Sequence, residues 1–321
     1  MTTEQTNKTI SEQLAARKYD PEKQPEKQPV VYTVGGSICG TLGNLCIITG
    51  MPKVGKSTIT AGLIASAFQG FDVFGIKIDF PANRRGLAYF DTETAPYDFY
   101  AQIGRILRFS GRNNVPDYFH AYNFREDNPD AILKFIEEHF LAIDTPVAII
   151  DGLLDLIYDF NDAVQSKNLI NTLKRWGKIY NCLIICILHQ GKNTGGNTLG
   201  HLGSMTDRYC QSTIEIQRDN NTLTIAPKLL RSDKYFDPIH VVNVGGEYIT
   251  EQVKETEKTD DTSELARKII QPVNDYETLV NTVAEFTGKS KAAAKKIVRL
   301  WITGGYITKD GDKYIKTRAL N

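Results

Sequence analysis

Residues Gly50-Met51-Pro52-Lys53-Val54-Gly55-Lys56-Ser57-Thr58 form a G-x-x-x-x-G-K-S pattern. Gly50 and Gly55 permit backbone turns closed to other residues. Successive N–H groups can then converge on phosphate at the positive end of a following helix. At this spacing Lys56 reaches terminal phosphates and Ser57 offers a hydroxyl to Mg²⁺. Three further sites carry chemistry. Asp151 follows four apolar residues (Val147 to Ile150) and is a second candidate Mg²⁺ ligand. Glu93 is the candidate general base for a water attacking the γ-phosphate, with Asp91 as its competitor. His189 and Gln190 can sense that phosphate by hydrogen bonding, or His189 can be a satisfied structural histidine.

The elements that must position these groups are legible around them. Leu45-Cys46-Ile47-Ile48-Thr49 suits a buried strand, and Ser57 to Phe68 a helix packed closely on a sheet. Leu87 to Phe90, Tyr118 to Phe124, Pro146 to Ile150 and Asn181 to Leu188 read as further strands. Helices are expected over Ala95–Phe109, Pro129–Phe140 and Ala163–Tyr180. Strands that are apolar throughout and alternate with helices predict an α/β fold, a mainly parallel sheet covered on both faces. Ligands of such sheets bind at the carboxyl ends of the strands. All four chemical sites follow strand ends.

The chain has 321 residues and no net formal charge, with 38 basic and 38 acidic side chains. Bulk charge therefore gives no support for nucleic-acid binding, and distribution must carry that argument. No apolar run approaches the ~20 residues of a membrane helix, and the first residues lack a signal pattern. A cytoplasmic location without membrane association is the expectation. Cys39, Cys46, Cys182, Cys186 and Cys210 form no C-x-x-C pair and read as small core residues.

Four regions follow. Residues 1–29, with their repeated Pro-Glu-Lys-Gln unit, read as a flexible polar tail, with a short helix between Thr9 and Lys18 as the alternative. Residues 30–250 hold the phosphate loop. Residues 251–262 are a charged linker. Residues 263–321 predict three helices and a hairpin around Asp310-Gly311, a winged-helix-like module. From Leu265 onward there are eleven basic residues against five acidic. Lys289, Lys291, Lys295, Lys296 and Arg299 are its candidate DNA contacts, with protein docking as the alternative.

The ordered set of four motifs resembles the RecA-like ATPases, which include RecA and RadA recombinases and DnaB-type helicases. More specifically, it looks like the RepA-type hexameric replicative helicases of plasmids, phages and mobile elements. The resemblance covers residues 30–250. It implies a homo-oligomeric ring, with ATP between subunits and single-stranded DNA through the centre. Other replication proteins are possible partners. Carried over, Gly50, Lys53, Gly55, Lys56, Ser57 and Thr58 bind the nucleotide, and Ser57 and Asp151 serve Mg²⁺. Glu93 is catalytic, and His189 and Gln190 sense the γ-phosphate. Gln190 departs from relatives that carry a second histidine there.

Gly191 to Gly203 is glycine-rich and is expected to be a mobile loop. By the same resemblance it lines the ring, with Lys192 and His201 touching DNA, or it is a flexible loop without DNA. Ser212–Gln217 and Thr222–Ile225 predict a hairpin that delivers Lys228-Leu229-Leu230-Arg231. Arg231 is the candidate trans arginine finger and Lys228 its assistant, or Arg231 is a surface residue. The function expected is an ATP-dependent DNA helicase or related motor. A RadA-like recombination ATPase and an ATP-switched DNA-binding regulator are the alternatives.

Overall fold

The structure, a computed structural model, describes residues 9–191, 200–250, 275–287, 290–303, 307–310 and 313–316. They fall in two compact units, Met1–Thr250 and Glu251–Asn321.

The first unit is built on a nine-stranded sheet. Six strands run parallel: β3 (Leu45–Gly50), β5 (Leu87–Asp91), β6 (Phe119–Asn123), β7 (Val147–Asp151), β8 (Leu183–His189) and β9 (Ser212–Asp219). Their spatial order is β9-β3-β8-β7-β5-β6. An antiparallel meander extends the β9 side through β10 (Thr222–Leu230), β11 (Ile239–Val244) and β12 (Glu247–Thr250). This is the α/β architecture of a RecA-like P-loop NTPase.

Alternation along the strands feeds two cores. In β7, Val147 and Ile149 face one hydrophobic cluster while Ala148 and Ile150 face the other. The first cluster lies under α2 (Lys56–Gln69) and α3 (Pro96–Ser110). The second lies under α4 (Pro129–Ala142) and α5 (Ala163–Ile179) and receives Leu202 from α6 (Gly200–Tyr209). With both faces covered, the central strands are buried along their whole length. That is why they read as unbroken apolar runs.

A three-stranded sheet also packs on the first cluster. It consists of β1 (Val30–Val34), β2 (Ser37–Thr41) and β4 (Ile76–Ile78) in the order β2-β1-β4. Ahead of it, α1 (Ile10–Ala15) takes up part of the region read as a flexible tail. Thr9 and Glu12 close a reciprocal capping box, which satisfies two orphan N–H groups at its start.

The glycine-rich stretch also differs from expectation. Residues 200–203 are not loop but the first turn of α6, and Leu202 is fully buried. Anchoring Leu202 in the core outweighs the low helix propensity of Gly200 and Gly203. His201 therefore sits on a helix rather than on a loop. Lys192 lies outside the described residues, as do the linker and the first expected helix of the C-terminal module.

In the second unit, α7 (Tyr276–Thr287) packs on α8 (Lys291–Thr303) through Leu279, Val280, Val283, Ala294, Val298 and Trp301. Strands β13 (Ile307–Asp310) and β14 (Lys313–Lys316) pair antiparallel. Lys291, Lys295 and Arg299 are exposed, at helical spacing on the side away from that core. Lys289 and the side chain of Lys296 lie outside the description.

Among the described residues, no helix is long and apolar enough to cross a membrane. All five cysteines are buried free thiols.

Candidate functional site

Parallel pairing sets strand ends side by side. Gly50 of β3 is level with His189 of β8, and Asp91 of β5 with Asp151 of β7. The phosphate loop, the two aspartates and the histidine thus share the carboxyl edge of one sheet.

The loop from Met51 to Gly55 ends in α2. Gly55 is the N-cap of that helix, in the left-handed region at φ 97°, and Lys53 is also left-handed at φ 65°. A side chain on Gly55 would strike Leu223 of β10. Thr58 is buried on the helix, while Ser57 is exposed and available to a ligand. Gln102 of α3 donates to the Ser57 carbonyl at 2.6 Å, which ties the two helices together beside the loop.

Lys56 is buried. Its ammonium donates to the carbonyls of Gly50 (3.0 Å) and Met51 (2.9 Å) and lies 2.8 Å from Nδ1 of His189. On the other side of that ring, Nε2 lies 3.0 and 3.1 Å from the two carboxylate oxygens of Glu93. An ammonium only donates and a carboxylate only accepts. The contacts therefore assign His189 as acceptor at Nδ1 and donor at Nε2. The result is a continuous chain, Lys56–His189–Glu93, from the phosphate loop to the candidate base.

The charges fit this geometry. Burial lowers the Lys56 pKa, against the opposing pull of Glu93 and Asp151. Burial pushes Glu93 upward, but the hydrogen bond from His189 and the charge of Lys56 leave its carboxyl below the usual range. Glu93 is thus held as an anion, the form that can accept a proton from water.

Asp91 and Glu93 have different surroundings. The Asp91 carboxylate is fully buried and accepts from the N–H groups of Glu93 and Thr94, the Thr94 hydroxyl and the Tyr89 hydroxyl. These contacts commit it to holding the turn. Sequence reading missed Tyr89. Its hydroxyl also faces Asp151 at 3.0 Å, so it bridges both buried aspartates. A tyrosine two residues before an aspartate on one strand face was the available signal.

Asp151 is buried, and its pKa is pushed up to about 7 by desolvation and by the charges of Asp91 and Glu93. A carboxylate destabilised by other carboxylates, at the same strand edge as the phosphate loop that carries Ser57, suits a divalent cation. Among the described residues no three or more His, Cys, Asp or Glu side chains are grouped to hold a metal unaided. Mg²⁺ with Ser57 and Asp151 would draw its other ligands from water and phosphate. Gly152, which follows, has φ 112°. A Cβ there would stand 2.0 Å from the Thr92 hydroxyl, so only glycine lets the two strand ends meet.

The remaining candidates lie elsewhere. Gln190 is buried, and its side-chain amide donates to Glu215 of β9 at 2.5 Å rather than turning to the loop. β10 runs on past Ile225 to Leu230, with a register shift at Pro227, which has no N–H to pair. Leu230 is level with Ser212, and Ser212 with Cys46 near the start of β3. Arg231, whose N–H meets the Gln211 carbonyl level with the start of β3, therefore sits at the opposite edge of the sheet, roughly 16 Å along the strands from the level of Gly50. Its guanidinium donates to the Arg208 carbonyl at 2.5 Å. Lys228 is 3.6 Å from Asp207. Neither reaches the phosphate loop of its own chain.

A family model described as an AAA domain matches residues 24–195, which include the loop, Glu93, Asp151 and His189. No curated protein matches the chain.

Proposed function

We propose that this chain, a P-loop ATPase that belongs to the AAA domain family, is a DNA-stimulated motor of the RepA helicase type. The observation that carries the reading is the chain Lys56–His189–Glu93. It links the group that meets terminal phosphates to the group that would activate water. The presence of a γ-phosphate can thereby be felt at the base.

In this reading the backbone of residues 50–55 and Lys56 hold the ATP phosphates, with Lys53 and Thr58 flanking them. Mg²⁺ at Ser57 and Asp151 would help neutralise phosphate charge. Glu93 orients a water in line with the γ-phosphate and takes its proton. No covalent protein intermediate is needed. His189 holds the Glu93 carboxylate and reports phosphate occupancy, while Gln190 couples this strand end to Glu215. Arg231 and Lys228 act on the ATP of a neighbouring copy in a hexameric ring, consistent with their distance from the loop of their own chain. Single-stranded DNA passes through the ring. The exposed cations of α8 offer a further contact to duplex DNA.

Strand displacement on a forked DNA substrate, with assembly state recorded by light scattering, tests the reading. ATP-dependent unwinding by a closed oligomer is the expected result. Strand exchange by filaments would favour a recombination ATPase instead. Tight sequence-specific duplex binding, with hydrolysis indifferent to DNA, would favour a regulator.

A further inference from the structure

The sheet edge opposite the phosphate loop holds a hollow whose charged lining is lysine alone. It measures about 390 Å³ and opens where β3 and β8 begin. Gln28, Asn44, Asn181, Lys174, Lys178 and Tyr209 supply its polar lining, and no carboxylate lines it. Lys174 and Lys178 are exposed, four residues apart on α5, so their side chains share one face. Like charges at that spacing repel. The helix C-terminus offsets part of this for Lys178, and the Tyr209 ring holds the Lys174 ammonium at 4.5 Å.

Nearby acids are engaged elsewhere. Asp144 pairs with Arg84 and Asp207 with Lys228, while Arg175, between the two lysines, pairs with Glu137. Neither Lys174 nor Lys178 has an ion pair among the described residues. The hollow thus presents two lysines and no carboxylate.

We infer that this hollow is a second nucleic-acid contact, in which Lys174 and Lys178 bind phosphates of a single DNA strand. Tyr209 is a positioning residue that fixes Lys174. Two exposed lysines one helical turn apart in an open hollow suit neighbouring phosphates of a polyanion better than one free phosphate. The contact lies a strand length, roughly 17–20 Å, from the nucleotide loop, so it can bind DNA without entering the hydrolytic site. The inference rests on the reading of the chain as a DNA motor.

The test is fluorescence anisotropy of a labelled oligothymidylate with the full chain, across a salt series. The double variant Lys174→Ala/Lys178→Ala should bind at least ten-fold more weakly at about 0.1 M salt. Its slope of log K against log salt should shrink by about 1.4, at ~0.7 per lost cation for single strands. Lys174→Arg/Lys178→Arg should restore both. Hydrolysis without DNA should stay as in the unmodified chain, and half-saturating DNA concentration should rise at unchanged maximal rate. An unchanged salt slope in the alanine variant, while the unmodified chain binds DNA, overturns this inference alone. Binding of inorganic tripolyphosphate that DNA does not compete with would assign the hollow to a small anion and also overturn it. An unmodified chain that binds no DNA defeats the motor reading itself.

Discussion

Nε2 of His189 faces both carboxylate oxygens of Glu93, at 3.0 and 3.1 Å. The same ring meets the Lys56 ammonium through Nδ1 at 2.8 Å. Removing the ring separates phosphate contact from base position without touching either group. His189→Ala should lower kcat by about 10²-fold, within the range for a misplaced general base, and change ATP affinity by less than about three-fold. A matched loss in affinity and rate would mean that His189 serves nucleotide binding alone.

Tyr89 has one hydroxyl proton and two buried carboxylates to serve, Asp91 at 3.2 Å and Asp151 at 3.0 Å. Tyr89→Phe leaves both without that donor. Stability should fall by about 1–3 kcal/mol in urea unfolding, the cost of an unmet buried acceptor. Hydrolysis should also require more Mg²⁺ for half-maximal rate, since Asp151 loses a contact that favours its anion. A variant as stable as the unmodified chain would show that water serves the carboxylates equally well.

Arg231 lies at the edge of the sheet away from the loop of its own chain. Any effect on hydrolysis must then pass between copies. Arg231→Ala and Lys56→Ala should each be inactive alone. Mixed and reassembled, they should regain part of the activity, because some interfaces pair an intact loop with an intact arginine. Full activity of Arg231→Ala by itself would dismiss its role in trans.

His139 is buried between the Tyr122 hydroxyl (3.0 Å) and the Thr145 hydroxyl (2.9 Å). Desolvation and nearby His120 lower its pKa to about 4, against an ordinary 6.5. Between those values the unfolded chain binds the extra proton. Stability must therefore rise with pH across the window from about 4 to 6.5, by up to about 3 kcal/mol. Urea midpoints at pH 4.5 and 7 check this. His139→Gln should flatten the difference, and an equal slope in both proteins would contradict it.

The central strands and the site were legible because burial on both faces leaves an unbroken apolar run, and each such run ends in a reactive residue. Glu93 stood out by its place after β5, although its contact with His189 joins residues 96 positions apart and no spacing announces it. The outer strands were harder. β1 with β2, and β11 with β12, turn on Gly35-Gly36 and Gly245-Gly246, all with positive φ as a two-residue hairpin requires. Those glycine pairs were visible, but the flanking residues alternate only in part because these strands are partly exposed. The start of α6 was read as loop because glycine content was weighed without the single buried Leu202 that fixes it.

ATP hydrolysis with and without single-stranded DNA, comparing the unmodified chain with Glu93→Gln, tests the central claim most directly. The account predicts strong stimulation by DNA and a loss of about 10²–10⁴-fold in the variant, which still binds ATP and still assembles. A slow rate indifferent both to DNA and to the substitution would contradict it.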